Sequence, residues 1–237
     1  MDRVVDEGIL TEPRKKSYKM YLLDESDLDA LVQLQDVVVK DLEKDSLYNS
    51  FAPSDLAELL GAKGVTIGAV VDEQLIAFCA ILFPGLEDNN LGWDLELPQE
   101  ELSEVAHLEL VAVHPQYRGN SLQEKMTLKV VEEAKKIRTI RYLCETAAPT
   151  NYPSVKSTLK AGLVIVKLKL KYHQWQRYIF YQDFFEPLEV DLEDTRLILA
   201  ADFAKQRKVL AAGYCGIDLK RSKEGTKVLF ARQKKGR

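Results

Sequence analysis

The stretch His107 to Met126, HLELVAVHPQYRGNSLQEKM, constrains the fold more than any other part of this sequence. Leu108 to Val113 is apolar and β-branched enough to be a strand. His114-Pro115 turns the chain, and from about Leu122 to Ile137 apolar residues recur at helical spacing, with Leu122, Met126, Val130, Ala134 and Ile137 as the expected buried stripe. A strand that feeds through a tight polar loop into a helix aims unpaired N–H groups and the positive end of the helix dipole at one point. Such a point suits a phosphate or pyrophosphate. Gly119 lets the backbone approach a ligand, and Arg118 adds charge. The loop lacks the Gly-Lys-Ser/Thr of a P-loop and the glycine spacing of a dinucleotide fingerprint, which disfavours nucleoside triphosphates and NAD.

Around this unit the periodicities predict a strand over Tyr18 to Leu23, then a helix capped by Ser26 or Asp27 with Leu28, Leu31, Leu34, Val38 and Leu42 on one side. A short helix follows over Ser54 to Leu60, then a hairpin of Val65 to Val71 and Gln74 to Phe83. Residues 85–104 read as a loop around Trp93. Its acids Glu87, Asp88, Asp94 and Glu96 suggest either an entrance for a cationic substrate or a solvated loop with one packed aromatic. Beyond the long helix come a strand at Tyr142 to Thr146, a short helix at Ser154 to Lys160, and a hairpin of Leu163 to Lys171 with Gln176 to Gln182. The expected organisation is a mobile tail over 1–16, a main domain over 17–185, and an acidic connector with a basic helix-hairpin extension over 186–237. In that extension a helix is expected over Thr195 to Ala212, with strands at Tyr214 to Leu219 and Lys227 to Ala231. Its apolar groups, Leu197 and Ala201 among them, imply docking onto the rest of the fold.

Composition narrows the class. The 237 residues are 46% hydrophobic and 30% charged, as expected of one principal globular domain with an appendage. The apolar run through Ala77 to Phe83 is too short to cross a bilayer, and the opening MDRVVDEGIL carries acids where a signal peptide needs basic then apolar residues, so the expectation is a cytoplasmic protein. Cys79, Cys144 and Cys215 are odd in number and far apart, which fits buried thiols with no metal site, and Cys144 is assigned no chemistry. The net charge of −4 argues against whole-surface binding of nucleic acid, whereas the basic residues after Lys205 leave a local patch open.

Val113-His114-Pro115-Gln116-Tyr117-Arg118-Gly119-Asn120-Ser121 resembles the coenzyme A loop of the GNAT acetyltransferases, in which Val-x-x-Pro precedes Gln/Arg-x-x-Gly-x-Gly/Ala. Asn151-Tyr152-Pro153-Ser154, leading to Ala161-Gly162-Leu163, resembles that family's second motif. Two departures stand out: Ser121 replaces the usual Gly or Ala, and Thr158 occupies a position where many members have a Tyr that protonates the departing thiolate. The resemblance implies a mixed α/β (α+β) fold, with a mostly antiparallel twisted sheet and helices on both faces. It also implies N-acetylation of a small-molecule or peptidyl amine by direct transfer from acetyl-coenzyme A, by a monomer or homodimer. The pantetheine arm would lie along Val111, Ala112 and Val113 and be held by Asn151 and Ser154, with the pyrophosphate on Gln116, Arg118, Gly119, Asn120, Ser121, Leu122 and Gln123.

The reaction needs a base for the amine and a donor for the developing oxyanion. Glu109 shares a strand face with Val111 by simple alternation and is either that base or a charge that steers a cationic amine. His107, on the same face, either relays the proton or is a surface residue, and Tyr152 either stands in for the absent Tyr at 158 or packs against its surroundings. Two other classes remain open. One is a regulatory module that binds coenzyme A with little catalysis; the other is a nucleic-acid-associated protein acting through its basic end.

Overall fold

The computed structural model describes residues 3–41, 50–172 and 174–234. The chain divides into two compact units, Met1–Ile140 and Arg141–Arg237, so the division falls ahead of the boundary expected near Phe185. The expected helical position Leu42 lies outside the described residues.

In the first unit β1 (Val4–Leu10), β2 (Lys16–Leu22), β3 (Gly64–Val71), β4 (Gln74–Leu82) and β5 (Val105–Val113) pair in chain order, each antiparallel to the next. The mobile tail expected over residues 1–16 is corrected: Val4–Leu10 is a strand in register with β2 from Val4↔Tyr21 to Leu10↔Lys16. Its acids Asp6 and Glu7 hide the strand pattern from a hydrophobicity reading, as charges on an edge strand do. Leu10 is fully buried and anchors it. After β2 the side chain of Asp24, rather than Ser26 or Asp27, accepts from the Ser26 N–H at 2.8 Å and caps the entry to α1 (Leu28–Lys40).

α1 and α2 (Pro53–Leu60) bury Leu31, Leu34, Val38, Leu56 and Leu59 with Phe78, Ala80 and Leu82 of β4 and with Leu110 and Ala112 of β5. Strand alternation turns Cys79 and Ile81 to the other face, where they are equally buried. The expected loop at 85–104 holds α3 (Leu91–Asp94) and a 3-10 turn over Gln99–Glu104. Buried Asn90 organises it, donating to the Gly85 and Leu102 carbonyls and accepting from the Gly92 N–H. Trp93 is half exposed, its indole N–H on the Glu87 carbonyl, and Glu87 is paired with Lys63. α4 (Leu122–Lys135) packs on β3, β4 and β5 through Leu122, Met126, Val130 and Ala134. Ile137 lies past its end and is 63% exposed, a correction to the expected stripe.

In the second unit the strand order is β6-β8-β7-β10-β11-β9, again with antiparallel neighbours. The strands are β6 (Tyr142–Ala147), β7 (Val164–Lys171), β8 (Trp175–Asp183), β9 (Val190–Leu199), β10 (Tyr214–Ser222) and β11 (Gly225–Gln233). α5 (Tyr152–Lys160) and α6 (Phe203–Ala211) complete it. The expected acidic connector and long helix are corrected: Val190–Leu199 pairs with β11, and the helix starts only at Phe203, capped by Asp202 on the Lys205 N–H. Leu197 therefore lies on a strand and is half exposed. The acids of β9 tolerate a strand because they occupy a sheet edge, where Asp194 takes Arg196 and Arg232 as partners.

Buried Gln206 ties α6 down, accepting from the Tyr178 hydroxyl at 2.7 Å and donating to the Leu199 and Ala200 carbonyls. Gly216 allows β10 to close on β7, since a Cβ there would stand 2.9 Å from Ile165. None of the three cysteines forms a disulfide, and all three are buried. Among the described residues no helix is long and apolar enough to cross a membrane.

Candidate functional site

β5 is the last strand of the first unit's sheet, and its register with β4 is interrupted at Glu109. Leu110 faces Ala80 but Leu108 faces Ile81, so β5 carries one extra residue there. The bulge corrects the alternation expected for Glu109. His107 pairs with Leu82 and Val111 with Cys79, two β4 residues of opposite faces, so His107 and Val111 do not share a face. Glu109 joins His107: its Oε2 lies 3.3 Å from the imidazole Nδ1.

His107 is buried, and its Nε2 accepts the Leu91 N–H at 3.0 Å. A nitrogen that accepts a backbone N–H cannot also carry a proton, so the hydrogen-bond pattern places the ring hydrogen on Nδ1. His107 is thereby tied to Leu91 through Nε2, and its Nδ1 stands beside the Glu109 carboxylate. Glu109 retains contact with solvent, with its side chain 21% exposed.

Past the bulge the backbone of β5 alternates in direction. The His114 N–H bonds the Ile76 carbonyl at 2.9 Å, so in an antiparallel ladder Ala112 also faces β4 while Val111 and Val113 turn their N–H and C=O groups away from it. The chain then makes a 3-10 turn over Pro115–Tyr117, Gly119 takes φ +87°, and Ser121 takes φ +56° immediately before α4. Among the described residues no acceptor takes the N–H groups of Gly119 to Gln123. A Cβ on Gly119 would meet nothing within 4 Å, so the loop faces open space at that point. This set of N–H groups at the start of a four-turn helix fits an anionic diphosphate.

The loop's side chains are committed elsewhere. Asn120 is buried, and its Oδ1 accepts from the Thr11 N–H, the Thr11 hydroxyl and the Glu12 N–H, while its Nδ2 donates to the Glu12 and Tyr117 carbonyls. Asn120, expected as a cofactor contact, therefore has only its backbone left to offer, and the sequence held no sign that the β1–β2 connection would claim its amide. Arg118 is exposed and paired with Asp41 at 2.6 Å, an ion pair of roughly 0–1 kcal/mol that an incoming phosphate can displace. His114 accepts the Gln116 N–H on Nδ1, and its pKa is lowered first by burial and then by Arg118, with Asp41 opposing.

In the second unit Asn151 caps α5, its Oδ1 accepting from the Ser154 N–H at 3.3 Å. Tyr152 begins that helix with the Arg221 guanidinium 4.6 Å and the Lys156 ammonium 5.7 Å from its ring centroid. Thr158 is buried, and its hydroxyl lies 2.8 Å from the Glu145 carboxylate and 3.0 Å from the Ser154 carbonyl. An embedded hydroxyl of this kind fixes α5 to β6 and does not replace a phenol as an acid.

A profile of the acetyltransferase (GNAT) family matches residues 31–162. No curated protein matches the sequence significantly. Among solved structures, Arabidopsis thaliana NAA60 in complex with acetyl-CoA is similar at 15% identity and a TM-score of 0.57, over 71% of this chain and 99% of that one. The putative acetyltransferase yncA of Salmonella typhimurium, with acetyl-CoA, is similar at 12% identity and a TM-score of 0.55, over 74% and 98%. An aminoglycoside acetyltransferase in complex with coenzyme A and kanamycin is similar at 15% identity and a TM-score of 0.51, over 71% and 95%. At these identities the likeness is one of fold.

Proposed function

Because this chain belongs to the GNAT acetyltransferase family, we propose that it transfers an acetyl group from acetyl-coenzyme A directly to a primary amine. The observation that carries this reading is the run of N–H groups from Gly119 to Gln123 left without acceptors at the start of α4, in a loop whose buried side chain is already satisfied. Those N–H groups hold the pyrophosphate, with Arg118 released from Asp41 as a further donor and the Gln116 side chain beside them. The outward-facing backbone of Val111 and Val113 takes the pantetheine arm as a strand would. The cofactor supplies an activated acyl group as its thioester.

Glu109 accepts the proton of the attacking amine on its carboxylate, directly or through one water. His107 stands beside the carboxylate, its Nδ1 3.3 Å from Oε2, and the bulge sets Glu109 apart from the face of Val111. The Val111 N–H, turned away from β4, is the donor available to a developing oxyanion. Tyr152 is the phenol assigned to return a proton from Oη, since Thr158 is held by Glu145.

Acetyl-CoA should raise the thermal unfolding midpoint, since a ligand of the native state alone stabilises by RT ln(1 + [L]/Kd). A screen of polyamines, amino acids, aminoglycosides and peptides then reads transfer. Absence of both stabilisation and turnover would remove this function.

A further inference from the structure

The Glu109 carboxylate has a neighbour whose hydrogen is placed from outside β5. His107 carries that hydrogen on Nδ1, the nitrogen 3.3 Å from the Glu109 Oε2, because its Nε2 accepts the Leu91 N–H at 3.0 Å. Imidazole has a second neutral form, with the hydrogen on the other nitrogen. In that form a lone pair at Nδ1 would stand against the carboxylate and repel it, and Glu109, which reaches solvent, would turn away. Whatever holds the Leu91 N–H in place therefore acts on Glu109.

Leu91 and His107 are both buried, at separate points of the chain between β4 and the start of β5. Asn90, 1% exposed, is the residue on which that segment is built. Its Nδ2 donates to the Gly85 carbonyl at 2.6 Å and to the Leu102 carbonyl at 3.1 Å, and its Oδ1 accepts the Gly92 N–H at 2.8 Å. Both flanks of the segment are thereby tied to the first turn of α3. The amide takes the Gly92 N–H and leaves the Leu91 N–H to the imidazole. The turn has little room to shift: a Cβ on Gly92 would stand 2.6 Å from the Leu102 side chain and 3.0 Å from the Asn90 Oδ1. All of these residues lie in the first unit.

We propose that Asn90 is a positioning residue for acetyl transfer: it holds the Leu91 N–H on His107, which keeps the imidazole hydrogen at Nδ1 and the Glu109 carboxylate beside it. This rests on the acetyltransferase reading above, with Glu109 as its base. Asn90 acts through Leu91 and His107 and is not itself catalytic.

Asn90→Ala removes all three bonds of the amide. Nitrogen NMR of the imidazole rings, of which the chain has three, reports which ring nitrogen carries the hydrogen. The His107 signals, identified by their loss in His107→Asn, should pass from the Nδ1–H form to a mixture of the two forms in Asn90→Ala. With that change kcat should fall roughly tenfold while the KM for acetyl-CoA stays level. His107→Asn supplies the deciding background: its amide nitrogen can stand where Nδ1 does, cannot tautomerise and does not reach Leu91. Adding Asn90→Ala to it should leave kcat unchanged. A merely structural Asn90 predicts a lowered unfolding midpoint with the Nδ1–H form retained, or a loss of kcat as large in the His107→Asn background. Either result overturns the proposal. Should Asn90→Ala fail to fold, Asn90→Ser, which keeps an acceptor for the Gly92 N–H, is read in the same way. If wild type acetylates no amine, the transferase reading fails and the spectra alone decide Asn90: a change of form upholds its hold on His107, and its absence overturns it.

Discussion

Asn120 and Arg177 are both buried polar side chains, and the protein treats them in opposite ways. Every hydrogen-bonding group of the Asn120 amide is matched inside the first unit, by Thr11, Glu12 and Tyr117. Arg177, in the second unit, keeps an Nε–H with no acceptor. The difference separates two kinds of buried polarity. A satisfied group builds a loop, here so that backbone N–H groups face outward; an unsatisfied one costs stability. In the first unit the buried side chain is used up and main-chain N–H groups face outward; in the second a side-chain N–H is left over.

Glu109 is the side chain of the first unit that this division leaves for chemistry, and its removal should have the largest effect. Glu109→Gln keeps shape and the His107 contact but cannot take the amine proton, so kcat should fall by roughly 10² to 10⁴ with unchanged affinity for coenzyme A. Steady-state kinetics together with calorimetry check this. Near wild-type kcat would reduce Glu109 to a charge that steers the amine.

Main-chain recognition is challenged next at Gly119. No protein atom obstructs a new side chain there, so Gly119→Asp should still fold; its carboxylate faces the anion and its φ of +87° is strained. The Kd for coenzyme A should rise about 100-fold, equivalent to two charge-assisted hydrogen bonds at about 1.5 kcal/mol each. Titration calorimetry reads it, and an unchanged Kd would place the anion elsewhere.

Asn120→Ala tests whether a satisfied amide builds the loop. It removes the partner of the Thr11 and Glu12 backbone groups, so stability should fall by about 0.5–1.5 kcal/mol in denaturant unfolding, and the KM for acetyl-CoA should rise several-fold while kcat stays level. A fall in kcat with KM unchanged would break the comparison, since it would give Asn120 a part in the chemistry.

The smallest effect concerns His114. Its pKa is lowered in the folded protein, so the unfolded chain binds the proton more readily. Its contribution to stability is therefore present above its ordinary value of 6.5 and is lost as pH falls through the lowered folded value. Unfolding midpoints recorded from pH 7.5 down to 5 should show a decline that is shallower in His114→Gln. An equal slope in the two proteins would remove His114 from the pH dependence of the loop.

Much of the fold was legible because local rules sufficed. β3, β4, β7 and β8, the helices α2 and α5, and the loop ahead of α4 follow from periodicity and turn residues within a residue or two at either end. The N-terminal strand and β9 were not legible, because both are edge strands rich in acids whose ladder partners lie elsewhere in the chain. The bulge at Glu109 was equally hidden. Strand alternation is a local rule, and the extra residue shows only in the register with β4.

What the sequence by itself determined is the strand, glycine loop and helix of residues 107–126 with its run of outward N–H groups, since backbone geometry there depends on neighbours within a few positions. Tertiary structure alone decided which side chains are committed and which remain available. The Thr11–Glu12 segment reaches Asn120 across more than a hundred residues, Leu91 sets the proton position on His107, and aromatic rings surround Arg177 with no carboxylate beside it among the described residues. A hydrogen bond is made by whichever group the fold brings within about 3 Å, and spacing along the chain does not encode that distance.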